Sequence, residues 1–322
     1  MGRVSETPRS RPRRRRPLRA ALGFLVLIAV LGYFAVQRDS NGGAGAPYCS
    51  ASAAGEEGRE YEMTPEQAGN AATIAAVGIS KGLPDRAVTI ALATAMQESA
   101  LRNLDHGDRD SLGLFQQRPS QGWGTPDQIQ DPVYSAGIFY DHLVDVPGYA
   151  GLPLTVAAQK VQRSGFPEAY AKHEPDAAAL TAAFGAGGVL FCSGPAPLPG
   201  DPEKVKAELV RAFGPQALGG ASGGAGASGG AGGRTDPGGE PGISLRLAPD
   251  GGPAEARRGR AMAHWAVARS HELGIASVAY GDGGWTGGKG RGRWQRTGGA
   301  AASGGGDPQA ASADEVRIVV AR

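Results

Sequence analysis

The run "TIALATAMQESALRN" carries a carboxylate to the edge of an apolar helix. Thr89 to Met96 are almost entirely apolar, and Gln97, Glu98 and Ser99 follow in the same helical register. A helix apolar nearly all round is a buried one. A carboxyl at its end loses hydration, which disfavours the charged form and suits a general acid near neutral pH. The plainer alternative is a helix-end glutamate paired with Arg102 at i+4. Periodicity alone leaves both open. Downstream, "SLGLFQQRPSQGWG" spans Ser111 to Gly124. Its Gln116, Gln117 and Gln121 suit sugar hydroxyls, and Trp123 suits a sugar face. Between them "LDHGDRDS" supplies Asp105, Asp108 and Asp110. Asp108 and Asp110 are candidates for a second carboxylate, which a hydrolase would require to direct water. All three also read as loop residues capping turns or pairing with Arg102, Arg109 or Arg118. This cluster lacks the spacing of a calcium loop. His106, His142 and His173 read as surface or loop histidines, so no metal and no cofactor is expected.

Glu98-Ser99, followed after a polar loop by Ser111-x-Gly113-Leu114-Phe115-Gln116, resembles the signature of bacterial lytic transglycosylases of the lysozyme-like superfamily. Phe115 stands where that signature usually has Met. The resemblance implies that Glu98 is the catalytic acid and that Ser99, Ser111, Gly113, Leu114, Phe115 and Gln116 line a glycan cleft. A longer match, taking in "VQRSGFPEAYAKH", is similar to a lysozyme-like domain of secreted actinobacterial proteins and covers about residues 49–192. The family's late Tyr-Asn pair has Tyr170 as its nearest counterpart here. The implied substrate is the glycan strand of peptidoglycan, cleaved with one carboxylate. Two other functions stay open: a catalytically weak wall-binding or scaffold protein, and a muramidase using Glu98 with a loop Asp.

The elements that must position these residues read as helices. Thr64, Pro65 and Gln67 have capping-box spacing, and Gly82 with Pro84 stops that helix before Asp85 caps the next. "DPVYSAGIFYDHLVDV" repeats the pattern from Asp131, and "LTVAAQKVQRSG" and "DAAALTAAFG" follow. No strand signal stands out between 61 and 191. The expected fold is therefore mainly α: a lysozyme-like all-α domain at 61–192, a connecting helix at 193–214, a disordered Gly-rich linker at 215–250 and a small α+β module at 251–322. That last segment, with "HWAVARSHELGIASVAYGDGGW", resembles a small module ending many actinobacterial secreted proteins. Its Trp265, Trp285 and Trp294 read either as core or as groove residues.

Charge divides by position. Residues 1–19 hold eight Arg and one Glu, whereas from Gln37 onward 25 basic and 30 acidic side chains leave −5. No basic patch marks the folded part, which argues against a nucleic-acid partner. Residues 20–36 carry no charge and follow the cytoplasm-retaining cluster "RPRRRR". They read as a single-pass membrane anchor with the N-terminus inside, or else as a cleaved signal peptide, with 37–60 as a stalk. Either way the rest lies outside, where Cys49 and Cys192 would form a disulfide around 143 residues; two unpaired thiols are the alternative.

Overall fold

A computed structural model describes Gly2 and residues 46–54, 60–163, 167–185, 187–218, 233–235, 241–247, 252–288, 294–296, 311 and 314–322. Residues 47–322 form one compact unit. The apolar stretch at 20–36 lies outside the described residues. Among the described residues no helix is long and apolar enough to cross a membrane, so the single-pass membrane reading is withdrawn.

Two Ala-rich helices, α1 (Pro65–Ser80) and α2 (Asp85–Ser99), make the centre of the unit. Ala68, Ala71, Ala72, Ala75 and Ala76 on α1, and Ala87, Ala91, Ala93 and Ala95 on α2, are all buried. Small side chains let neighbouring helices approach closely. At α1 Gly78, a Cβ would fall 2.7 Å from the Tyr140 hydroxyl, which bonds the Ile74 carbonyl at 3.0 Å. The capping box forms as the spacing predicts: Thr64 Oγ1 accepts from the Gln67 N–H, and Gln67 Oε1 accepts from the Thr64 N–H. Asp85 is not the cap of α2. Pro84 holds that position, and the Asp85 carboxylate binds Arg257 instead.

Around this pair pack α3 (Pro126–Ile129), α4 (Pro132–Val144), α5 (Leu154–Gln162), a 3-10 helix at Pro167–His173, α6 (Glu174–Phe184) and α7 (Pro202–Phe213). A further helix, α8 (Gly252–Ala268), lies against α1, and the short α9 (Ser270–Leu273) follows it.

The expectation of a mainly α protein is overturned by two antiparallel sheets, which make the fold mixed α/β. The first has the order β2-β1-β3, from Tyr61–Met63, Tyr48–Ala53 and Gly188–Ser193. β1 falls in the stretch read as a stalk, and "YCSASA" lacks the β-branched residues that announce a strand. It is held from outside its own sequence: Cys49 sits opposite Cys192 in the ladder, and the two are disulfide-bonded. The free edge of β3 is covered as well. The Trp294 and Trp285 indole N–H groups donate to the Leu190 and Cys192 carbonyls at 2.9 and 3.2 Å. This satisfies edge carbonyls that would otherwise invite another strand.

The second sheet has six strands in the order β4-β5-β9-β6-β7-β8. They are Gly233–Thr235, Pro241–Arg246, Glu315–Val320, Ile275–Tyr280, Gly283–Thr286 and Gln295–Arg296. β4 and β5 come from the segment read as a disordered linker. In "PGISLR", Ile243 and Leu245 are buried on alternate positions of a strand that packs against α7, a period-2 pattern too short to stand out from its Gly- and Pro-rich flanks. Within this layer the His264 Nδ1–H donates to the Ala183 carbonyl of α6. Arg257 spans from α8 to the Leu83 carbonyl and Asp85.

Candidate active site

The last turn of α2 places Glu98, and an unusual chain reversal ends that turn. Ala100 and Leu101 both adopt positive φ, 52° and 60°, a conformation that disfavours side chains with a Cβ. The Leu101 N–H bonds the Ala95 carbonyl and the Ala100 N–H bonds that of Met96, so two carbonyls of the last turn are satisfied as the helix ends. Two amides from α1 hold the reversed pair. Gln67 Nε2 donates to the Ala100 carbonyl and Asn70 Nδ2 to that of Leu101, both at 2.8 Å. Because the chain leaves the helix here, Arg102 is not a helical neighbour of Glu98, and the i+4 pairing does not form.

Glu98 is half-buried. Its Oε1 accepts from the Tyr170 hydroxyl at 2.6 Å. Desolvation pushes the carboxyl above the usual carboxylate range, partly offset by the Tyr170 hydroxyl and the polar Gln162 side chain. Beside it, the His173 Nε2–H donates to Gln97 Oε1 at 3.2 Å, and burial lowers the His173 imidazole below its ordinary value. The 3-10 helix thus contacts two consecutive residues of α2.

The loop from Asn103 to Gln117 forms the other wall. Ser99 Oγ shares its proton between the Leu114 carbonyl at 2.8 Å and the Ala95 carbonyl at 3.1 Å. Gln162 Nε2, at the end of α5, donates to the Phe115 carbonyl at 2.7 Å. Leu112 and Gln117 pair through both backbone bonds. Gly113, at φ +73°, donates its N–H to the Leu104 carbonyl at 2.7 Å, and a Cβ there would lie 2.6 Å from the Ile129 carbonyl. Gln130 and Asn103 stitch this loop to the end of α3, through Gln130 Nε2 to Leu104 O and Asn103 Nδ2 to Gln130 O.

The sequence candidates separate on this geometry. Ser99 is joined to the Leu114 carbonyl, and Tyr170 to the adjacent Glu98. The Leu114 side chain is buried, and the Phe115 ring stacks on Phe139 at 4.5 Å, so these two offer the site their carbonyls rather than their side chains. Gln117 is buried and donates to the Ser135 carbonyl at 3.0 Å. Ser111 is buried in the turn, its N–H on the Asp108 carbonyl. Gln116, at φ +48°, turns its amide toward the His106 and Gly113 carbonyls. Gln121 is exposed, with its amide on the Ser120 carbonyl. Trp123 packs on His142 with ring centroids 4.4 Å apart. No hydrogen bond among the described residues joins these last four to Glu98.

The aspartates serve the loop. The Asp110 carboxyl lies well below the usual carboxylate range through the Ser120 side chain first, then the Ser120 N–H and the Arg118 guanidinium. Asp108 is 94% exposed and 3.9 Å from Arg109. Asp105 pairs with His106 in solvent. Among the described residues no group of three His, Cys, Asp or Glu could hold a metal ion.

Gln162, Gln97 and His173 were not foreseen as site residues. Gln162 lies within "VQRSGFPEAYAKH", but a glutamine ending an amphipathic helix carries no local sign of a long-range partner. A separate cavity of about 530 Å³ lies among α1, α4, α7 and α9, and its lining does not include Glu98. Its two guanidiniums are already paired, Arg211 with Asp131 and Glu208, and Arg269 with Glu208 and Glu272. No protein-family model matches the chain, and no curated protein matches it.

Proposed function

We propose that the protein is a lytic transglycosylase-like enzyme of the lysozyme-like kind, cleaving the bond between N-acetylmuramic acid and N-acetylglucosamine in peptidoglycan with Glu98 as sole acid and base. The observation that carries this reading is the half-buried Glu98 carboxyl. It ends an apolar helix, is raised above the usual carboxylate range by desolvation, carries Tyr170 on Oε1, and adjoins Ser99, whose hydroxyl binds the Leu114 carbonyl. The resemblance of Glu98-Ser99 and Ser111–Gln116 to the transglycosylase signature supplies the substrate class.

The reaction balances without a second carboxylate. Protonated Glu98 gives its proton to the bridging oxygen as the bond to the muramyl C1 breaks. The resulting carboxylate takes the proton of the muramyl 6-hydroxyl as O6 closes on C1, so the enzyme regains its acid and no water is consumed. The muramidase alternative requires a carboxylate on the opposite side of the sugar. Asp110 is engaged by Arg118 and Ser120, and Asp108 stands in solvent, which weighs against it. Digestion of purified peptidoglycan by the full chain in ¹⁸O-water tests the proposal. Transglycosylation leaves the fragments unlabelled with 1,6-anhydro ends, whereas hydrolysis places ¹⁸O at reducing ends. Wall binding without fragment release would favour a scaffold protein.

A further inference from the structure

α1 presents two amides to one short stretch of backbone. Gln67 and Asn70 stand three residues apart, so their side chains leave the same helix face. Gln67 Nε2 donates to the Ala100 carbonyl and Asn70 Nδ2 to the Leu101 carbonyl, each at 2.8 Å. The Gln67 amide has no freedom to turn over. Its Oε1 accepts from the Thr64 N–H at 2.8 Å, and a backbone N–H can only donate, so Nε2 must face Ala100. The carbonyls so held belong to the two consecutive left-handed residues that follow Glu98 and Ser99. That conformation is costly for a residue with a Cβ, and it persists where the surroundings over-determine it. Here the determination comes from α1, anchored in the core by Ala68, Ala71 and Ala72, and from the fully buried Leu101 side chain. Within the capping box a glutamate would serve as well as a glutamine. The donor to Ala100 is what sets Gln67 apart.

The reversal sits between the acid and the opposite wall. On one side its N–H groups bond the Met96 and Ala95 carbonyls and close the turn that bears Glu98. On the other the chain passes at once into the Asn103–Gln117 loop, with the Arg102 N–H returning to the Ser99 carbonyl and the Leu104 carbonyl accepting from Gly113. We propose that Gln67 and Asn70 are positioning residues: as a clamp on the Ala100 and Leu101 carbonyls they fix the last turn of α2, and with it the Glu98 carboxyl, against that loop. Resting on the function proposed above, the clamp keeps a group that gives up and regains a proton in one place through both halves of the reaction. Neither amide need touch substrate. With the clamp released the turn frays, and Glu98 parts from the Tyr170 hydroxyl and gains water.

The test uses the full chain and two variants. Gln67→Glu keeps an acceptor for the Thr64 N–H, and so the capping box, but removes the donor to Ala100. Asn70→Leu removes the donor to Leu101 at similar size and adds no charge. Exchange of the Leu101 amide, whose bond to Ala95 closes the turn, should quicken about tenfold in both variants, while the Ile74 and Ala75 amides of α1 keep their protection. With ¹³C-labelled glutamate side chains, the carboxyl resonance missing from Glu98→Gln identifies Glu98. Its midpoint should fall toward the ordinary carboxylate value in Asn70→Leu, because burial, the larger influence on it, is relaxed together with the Tyr170 bond. On peptidoglycan, kcat should drop about tenfold in each variant with KM within about twofold, the pattern of a misplaced acid rather than of lost binding. Wild-type kcat and Leu101 exchange in Gln67→Glu would reduce Gln67 to a helix cap and overturn the inference. A Glu98 midpoint unmoved in folded Asn70→Leu would overturn it too. If wild type releases no fragments while exchange and midpoint shift as expected in the variants, the proposed function is overturned and the clamp stands.

Discussion

The Tyr170 hydroxyl donates to Glu98 Oε1 at 2.6 Å across 72 residues of chain. Tyr170 is buried while Glu98 is half-buried, so the bond locks the inner oxygen of the carboxyl and leaves the group accessible from one side. Removing the hydroxyl in Tyr170→Phe should lower turnover about ten- to hundredfold, the equivalent of one hydrogen bond to a charged group. The Glu98 midpoint should also rise, because a donor to the ionised form is gone. Steady-state kinetics across pH checks both. Unchanged turnover would remove Tyr170 from the site.

Glu98 should burden the fold at neutral pH. Its folded-state midpoint lies above the unfolded one because of desolvation, so its contribution is most favourable in acid and is lost as pH rises through the folded midpoint. Glu98→Gln, neutral throughout, should be more stable than wild type at pH 7.5 by about 0.5–2 kcal/mol. The difference should vanish below the pH at which an exposed carboxyl protonates. Urea unfolding at several pH values measures it, and a destabilised Glu98→Gln at pH 7.5 would contradict the reading of a desolvated acid.

His264 acts in the opposite sense. Buried against the Ala183 carbonyl, its imidazole is lowered to about 4 by desolvation, with the carbonyl bond opposing and Arg260 assisting. An unfolded His takes up a proton near pH 6.5. Stability should therefore fall as pH drops from about 6.5 to about 4, by roughly 3 kcal/mol from this residue. Comparison with His264→Gln isolates the contribution, and NMR should show the ring still neutral at pH 5.5. A ring that titrates near 6.5 in the folded protein would refute the burial.

Gly113 is fixed by geometry rather than by chemistry. Its φ of +73° and the 2.6 Å approach of a Cβ to the Ile129 carbonyl make Gly113→Ala costly on both counts. A loss of about 1–3 kcal/mol is expected, readable by thermal denaturation, together with weakened protection of the Gly113 amide, whose bond to Leu104 holds the loop.

The helices around Glu98 were legible because their signals are local: the Thr64-Pro65-Gln67 box, the Asp131-Pro132 start and the apolar run before Glu98 all act within a turn or two. The three-stranded sheet was not, because its causes are distant. β1 depends on a disulfide partner 143 residues away and β3 on two tryptophans 93 and 104 residues later. The same holds within the site. Glu98 could be found from its own helix, whereas Gln162 depends on the Phe115 carbonyl and His173 on Gln97. The amides of "FQQRPSQ" suited sugars by type, but Gln117 is consumed by the Ser135 carbonyl. Of the readings open for the tryptophans, core is the one met by Trp265 and Trp285, and Trp285 and Trp294 also give their N–H groups to a strand edge.

The central claim is that Glu98 alone, as acid and then base, opens the glycan. The most direct measurement is mass spectrometry of fragments released from purified peptidoglycan by the full, disulfide-bonded chain and by its Glu98→Gln variant. The account predicts 1,6-anhydro-muramyl ends from wild type, and none from a folded Glu98→Gln. Reducing ends from wild type, or anhydro products that persist in Glu98→Gln, would contradict it.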